Sequence, residues 1–166
     1  MEKIIEKISN YHIFNYLVPG YLFLIISGNI LNKCLIPNNI LYSFFIAYFV
    51  GIIISRLSSL VVEKIIINIF DLKNESYDDF VKASRVDNKI DILNQERNMY
   101  RSLCTLMIIE LILKIIVAFN LLSVINNDII IILIFLALII IFTFSFIKQN
   151  RYITSRIKAV INRKKQ

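Results

Sequence analysis

The chain has 166 residues, of which 57% are apolar and 19% charged, and a formal net charge of +7. A water-soluble globular domain carries roughly 45–50% apolar and about 25% charged residues, so a compact body of this composition would lack the polar surface to cover itself. With three glycines, one histidine and none of the patterns G-x-S-x-G, H-E-x-x-H, C-x-x-C, G-x-x-x-x-G-K or G-x-G-x-x-G, neither an enzyme nor a bound cofactor nor a metal centre is expected. The composition predicts an all-α integral membrane protein.

Chain order begins with Met1 to Ile8, which mixes acids with bases and precedes no small-x-small cleavage site, so it is read as retained. Between Glu2 and Tyr16 the spacing predicts an amphipathic interfacial helix with Ile4, Ile5, Ile8 and Tyr11 toward the membrane. His12 is read as an interfacial polar residue, because no partner His or Cys lies at metal-motif spacing. Pro19-Gly20 follows, and proline both removes a donor and clashes with the carbonyl four residues back. Either the first helix kinks there or the interfacial helix hands over to a new one, and handover is the preferred reading.

Four apolar segments of span length are predicted at 13–31, 40–59, 103–122 and 129–147. The connections around Asn32–Asn39 and Ser123–Asp128 are short enough to make each flanking pair an antiparallel hairpin. Four spans use about 80 residues, which leaves a single membrane domain over 1–166. Within the second span, Ser43, Ala47, Gly51, Ser55 and Ser59 recur every fourth residue. Small side chains at this spacing let backbones approach closely, either within the chain, between subunits, or as the lining of a narrow pore. Arg56, Glu63 and Lys64 mark the point where this helix leaves the membrane, as snorkelling charges or, for Arg56, as an anion filter in an oligomer.

From residue 60 to 102 the second and third spans are expected to continue as a cytosolic helical hairpin. Val86, Ile90, Leu93, Arg97, Tyr100, Cys104 and Met107 keep one helix face there, and the tip Asp71–Asp79 is acidic. Inside the third span, Glu110 and Lys114 are four apart, with glutamate first. That arrangement suits a buried neutralised pair, a water-filled conduction path or, less readily, a proton-coupled carrier. Cys34 and Cys104 fall at opposite membrane faces, so no disulfide is expected.

The tail from 148 to 166 carries Lys148, Arg151, Arg156, Lys158, Arg163, Lys164 and Lys165 with no acid. With Ile153, Ile157, Val160 and Ile161 it reads as a basic amphipathic helix able to attract phosphates or anionic lipid headgroups. Of the 19 basic residues only Lys33 lies in a short outer loop and only Lys114 within a span; the other 17 lie at one face, which predicts both termini in the cytoplasm.

The stretch Phe14-Asn15-Tyr16-Leu17-Val18-Pro19-Gly20-Tyr21-Leu22-Phe23, with Asn98-Met99-Tyr100-Arg101 before the third span and the basic tail after the fourth, resembles small bacterial membrane proteins of antiphage systems. These are the channel-like effector of Hailong systems, the membrane effectors of CBASS operons and the membrane subunit of Kiwa. The resemblance implies an inner-membrane homo-oligomer, held shut and opened by an intracellular signal, often a nucleotide or oligonucleotide. Two other functions are compatible with the residues: a non-conducting sensor or anchor whose cytosolic hairpin binds a soluble protein partner, and a small ion or drug carrier.

Overall fold

A computed structural model describes residues 13–73, 75–120 and 126–163. The described residues are helical and contain no strand. A π-helical turn, Ile13–Leu17, opens into α1 (Val18–Leu31). Then come α2 (Ile40–Leu57), a second π-helical turn at Ser58–Val62, α3 (Glu63–Ile69), α4 (Tyr77–Ser84), α5 (Lys89–Asn120) and α6 (Asn126–Arg163). Two stretches, Ile40–Ile69 and Ile129–Asn162, are long and apolar enough to cross a membrane; Asn15–Leu31 is a shorter apolar helix.

The handover expected before Pro19 does not occur within the described residues, because helical backbone runs without interruption from Ile13 to Leu31. The π-helical turn immediately ahead of Pro19 explains this: widening the turn removes the clash between the proline ring and the carbonyl four residues back. Of the amphipathic segment from Glu2 to Tyr16, residues 2–12, His12 among them, lie outside the described residues, as do Lys164 and Lys165.

The α1–α2 hairpin is fixed at both ends of its connection. Asn32 closes α1 in the left-handed conformation at φ 52°, where the Lys33 N–H reaches the Gly28 carbonyl at 3.0 Å. Asn39 starts α2 by accepting from the N–H groups of Leu41 at 2.9 Å and Tyr42 at 3.3 Å. The two helices then meet backbone to backbone. A Cβ built on Gly20 would stand 1.7 Å from the Ala47 carbonyl oxygen, and one on Gly51 1.7 Å from the Tyr16 carbonyl oxygen. The Tyr21 hydroxyl lies 2.8 Å from Ser43 Oγ on the same seam.

Only Ser43, Ala47 and Gly51 of the small-residue series are buried; Ser55 and Ser59 are half-exposed, and Ile54 and Ser58 occupy the inner face instead. A strict four-residue repeat advances about 400° per step on a helix of 3.6 residues per turn, so it drifts off the face unless a three-residue step corrects it. The step from Gly51 to Ile54 is that correction.

The long helices α5 and α6 pack along each other, with Cys104 Sγ 3.3 Å from Thr143 Oγ1 and, further along, Arg97 opposite Asn150. Toward the apolar end, Ile54, Leu106, Met107 and Phe135 form one core cluster, with Phe23 and Ile26 of α1 against it. A middle cluster joins Val62, Ile66, Cys104, Phe146 and Ile147, and Phe70 meets the Phe144 ring edge-on. Residues 62–72, which the sequence assigns to the cytosolic extension, therefore stand beside 139–147, which it assigns to a span. The π-helical turn at Ser58–Val62 supplies the register change that brings them together. At the far end Ala83, Ile90, Ile153 and Ile157 form a third cluster with Phe80 and Leu93. The apolar face of the basic tail is thus covered by α4 and α5 rather than left for a lipid surface.

Candidate functional site

Between the middle cluster and the end cluster lies a layer of polar side chains contributed by the second π-helical turn, α3, α5 and α6. Arg101, only 8% exposed, donates from Nε to Ser58 Oγ at 2.9 Å and forms an ion pair with Glu63. One turn earlier, Arg97 donates from Nη1 to Asn150 Oδ1 at 2.9 Å and from Nη2 to Asn94 Oδ1 at 2.8 Å. Gln149 donates to Glu96 Oε2 at 2.6 Å and to the Leu93 carbonyl at 3.4 Å. Burial pulls the Arg97 guanidinium below the usual arginine range; the nearby Glu63 carboxylate opposes that shift and Arg101 adds to it.

A cavity of about 330 Å³ opens beside this layer. Glu63, Asn94 and Arg97 form its polar wall, Glu75, Tyr77 and Phe80 come from the start of α4 and the residues before it, and Ile153, Thr154 and Ile157 come from α6. Several contacts hold these elements around it. Ser76 caps α4 by accepting from the Asp79 N–H at 3.1 Å, and Thr154 donates to the Lys73 carbonyl at 3.2 Å. Lys158 pairs with Glu75 at 3.4 Å, and Arg156 pairs with Asp87. The Arg156 hydrogen bond holds the Asp87 carboxyl below its ordinary range, against a smaller opposing effect of burial.

A second polar feature sits among apolar helices. Glu110 is fully buried and accepts from Ser27 Oγ of α1 at 2.7 Å on Oε1, while Oε2 has no hydrogen-bond partner among the described residues. Sequence reasoning singled out Lys114 as the neighbour of this carboxylate, but the hydrogen bond that joins Glu110 to another helix comes from a serine. Lys114 is half-buried.

The remaining sequence candidates are dispersed. Arg56 and Lys64 are exposed, whereas Glu63 points inward to Arg101, so the three do not form one site. Pro19, Gly20 and Gly51 belong to the α1–α2 seam. Lys148 is exposed with its ammonium 5.8 Å from the Tyr152 ring centroid, and Arg151 is exposed. Arg156 and Lys158 are ion-paired as above, and Arg163 ends α6. Cys34 is exposed and Cys104 buried, both as free thiols. Among the described residues no group of three potential metal ligands forms.

Sequence reasoning did not bring together Arg97, Arg101, Ser58, Asn94 and Asn150. A signal was available. Arg97 occupies a position on the otherwise apolar face running from Ile90 to Met107, and Gln149-Asn150 interrupts the buried face of α6 between Ile147 and Ile153. Polar side chains at core positions of two facing helices point to a shared polar layer. No protein-family model, curated protein or solved structure matches this chain.

Proposed function

We propose that the chain is a multi-pass inner-membrane effector, assembled from several copies, that opens a pore or disrupts the bilayer on an intracellular signal and serves in antiphage defence. In this reading α1 and the Leu103–Asn120 half of α5 join the two long apolar stretches as four spans, with both termini cytoplasmic. The observation that carries it is the continuity of α5 and α6: each runs unbroken from the apolar end of the molecule into the wall of the polar cavity. A change at the cavity is thereby delivered to the apolar helices without an intervening hinge. The need for several copies follows from packing, since four helices of one chain fill their own centre. Exposed Ile130, Leu133, Ile134, Ile140 and Phe144 on α6 suit lipid and neighbouring copies. The defence context rests on the resemblance drawn from the sequence.

A non-conducting sensor or anchor is the second reading. It is favoured by the burial of Glu110 against Ser27, which engages the intramembrane carboxylate inside one chain. Reconstitution into potassium-loaded vesicles separates the two. An effector gives potassium flux above protein-free vesicles once an extract of phage-infected cells supplies the signal, and Glu110→Gln shifts its cation-to-anion ratio if that residue borders the path. A folded, inserted protein without flux in the presence of that extract moves the assignment to the sensor. External labelling of Cys34, with protection of a cysteine placed at Asn88, tests the orientation.

A further inference from the structure

The cavity wall is not electrically balanced. Of its three charged side chains, Glu63 is paired with Arg101 and Glu75 with Lys158. The third, Arg97, is held by two neutral amide oxygens, and its Nε–H is buried with no acceptor among the described residues. Arg101 and Lys158, which are outside the lining, neutralise its two carboxylates, and the charge left over is that of Arg97. A guanidinium held only by neutral oxygens keeps its full charge, and an oxyanion in the cavity that it lines is drawn to it. The rest of the wall is apolar or aromatic, with Phe80, Ile153 and Ile157 inside and Tyr77 strongly exposed beside them.

We infer that this cavity binds a small organic monoanion, whose oxyanion accepts from Arg97 and whose apolar body lies against Phe80 and Ile157. A volume of about 330 Å³ is at the small end of ligand pockets, enough for a single ring or a short acyl chain. A polyanion such as a nucleoside triphosphate would bring extra negative charge beside Glu63 and Glu75, and the site selects against it. The oxyanion could belong to a free carboxylic acid or to the phosphodiester of an anionic lipid; both present the same chemistry to Arg97. The inference deepens the effector reading, on which it rests for the consequence of binding, by giving the chemical class of its signal.

The test is calorimetric titration of the full-length protein in phosphatidylcholine nanodiscs with benzoate, and with benzamide as its neutral counterpart. Benzoate should bind and benzamide should bind at least tenfold more weakly. Asn94→Asp keeps the side-chain shape, and it puts a carboxylate where an oxygen now stands 2.8 Å from Nη2. It should raise the melting temperature of the ligand-free protein while weakening benzoate at least tenfold. Arg97→Gln should abolish binding, and Lys82→Gln, an exposed cation of α4 away from the cavity wall, should leave it unchanged. Equal affinity for benzoate and benzamide, or wild-type benzoate affinity in folded Asn94→Asp, overturns the proposal. Nanodiscs containing phosphatidylglycerol distinguish the sources: lost benzoate binding identifies a lipid occupant and retained binding a free acid. Benzoate binding without any effect on potassium flux would overturn the effector reading and leave this site standing. Flux without benzoate binding would overturn the site alone.

Discussion

The two ends of the molecule are held by opposite means. At the α1–α2 seam, side chains are almost absent from the contact: Gly20 lies on Ala47 and Gly51 on Tyr16 with carbonyl oxygens at the closest approach. Around the cavity the contacts are made by the longest polar side chains, Arg97, Arg101 and Gln149, each reaching across to another helix. In an apolar environment packing must replace the hydrophobic drive, and close backbone approach provides it. Where water or a ligand reaches the wall, charged groups can stay solvated or exchange partners. The seam therefore tolerates almost no added volume, whereas the polar layer is sensitive to the loss of a hydrogen-bond or ion-pair partner.

The largest effect is expected at the seam. Gly51→Leu must push apart backbone atoms that cannot rotate away, which exceeds the ordinary overpacking cost of about 1–3 kcal/mol. Loss of the folded, monodisperse protein on size exclusion in detergent is the expected outcome. Ser55→Leu, at a half-exposed position of the same series, should elute as wild type; similar behaviour of the two variants would break the distinction between seam and flank.

Next comes the polar layer. Arg101→Met leaves Glu63 and Ser58 without their shared donor and should cost about 3–5 kcal/mol, the usual penalty for breaking a buried ion pair. Adding Glu63→Leu should recover most of that loss in thermal melts, because the isolated carboxylate is removed as well. Failure of the double variant to recover would mean that packing, not charge, governs this layer.

A smaller effect is expected where the two styles meet. Ser27→Ala removes the hydroxyl that Glu110 accepts from and should cost about 1.5–3 kcal/mol. Glu110→Gln keeps an acceptor for Ser27 and should change stability by only about 1 kcal/mol. Denaturant titration of the two variants side by side ranks them.

The smallest effect is a pH dependence at the tail. Arg156 lowers the Asp87 carboxyl in the folded chain, so this contact stabilises at every pH above the unfolded carboxyl value of about 4. The contribution is lost as pH falls through the lower folded value. A Val160→Trp reporter, in a chain with no other tryptophan, should shift its emission to the red only at strongly acidic pH. Asp87→Asn should abolish that acid step.

The sequence made the elements legible and the partnerships obscure. Helix boundaries near Leu31, Ile40 and Lys89 carry local marks, in Asn32, in Asn39, and in Asp87, whose carboxylate accepts from the Lys89 N–H. The small-residue face of α2 was visible as a spacing, yet its partner Gly20 and its drift at Ser55 depend on the crossing of two helices and the fractional turn. The cavity was least legible because its wall comes from α3, α4, α5 and α6, and no local pattern encodes which of Arg56, Arg97 or Arg101 will face Glu63. Arg97 in an apolar register was the strongest available mark.

The 38 residues of α6 give a rod about 57 Å long at 1.5 Å per residue. Pivoted at the Arg163 end, it carries a displacement of about 1 Å beside Asn150, roughly 20 Å from the pivot, to about 3 Å at Asn126, roughly half a helical pitch. In the effector reading proposed above, α6 would be a lever that multiplies a side-chain rearrangement beside Asn150 into a shift in how neighbouring helices interlock.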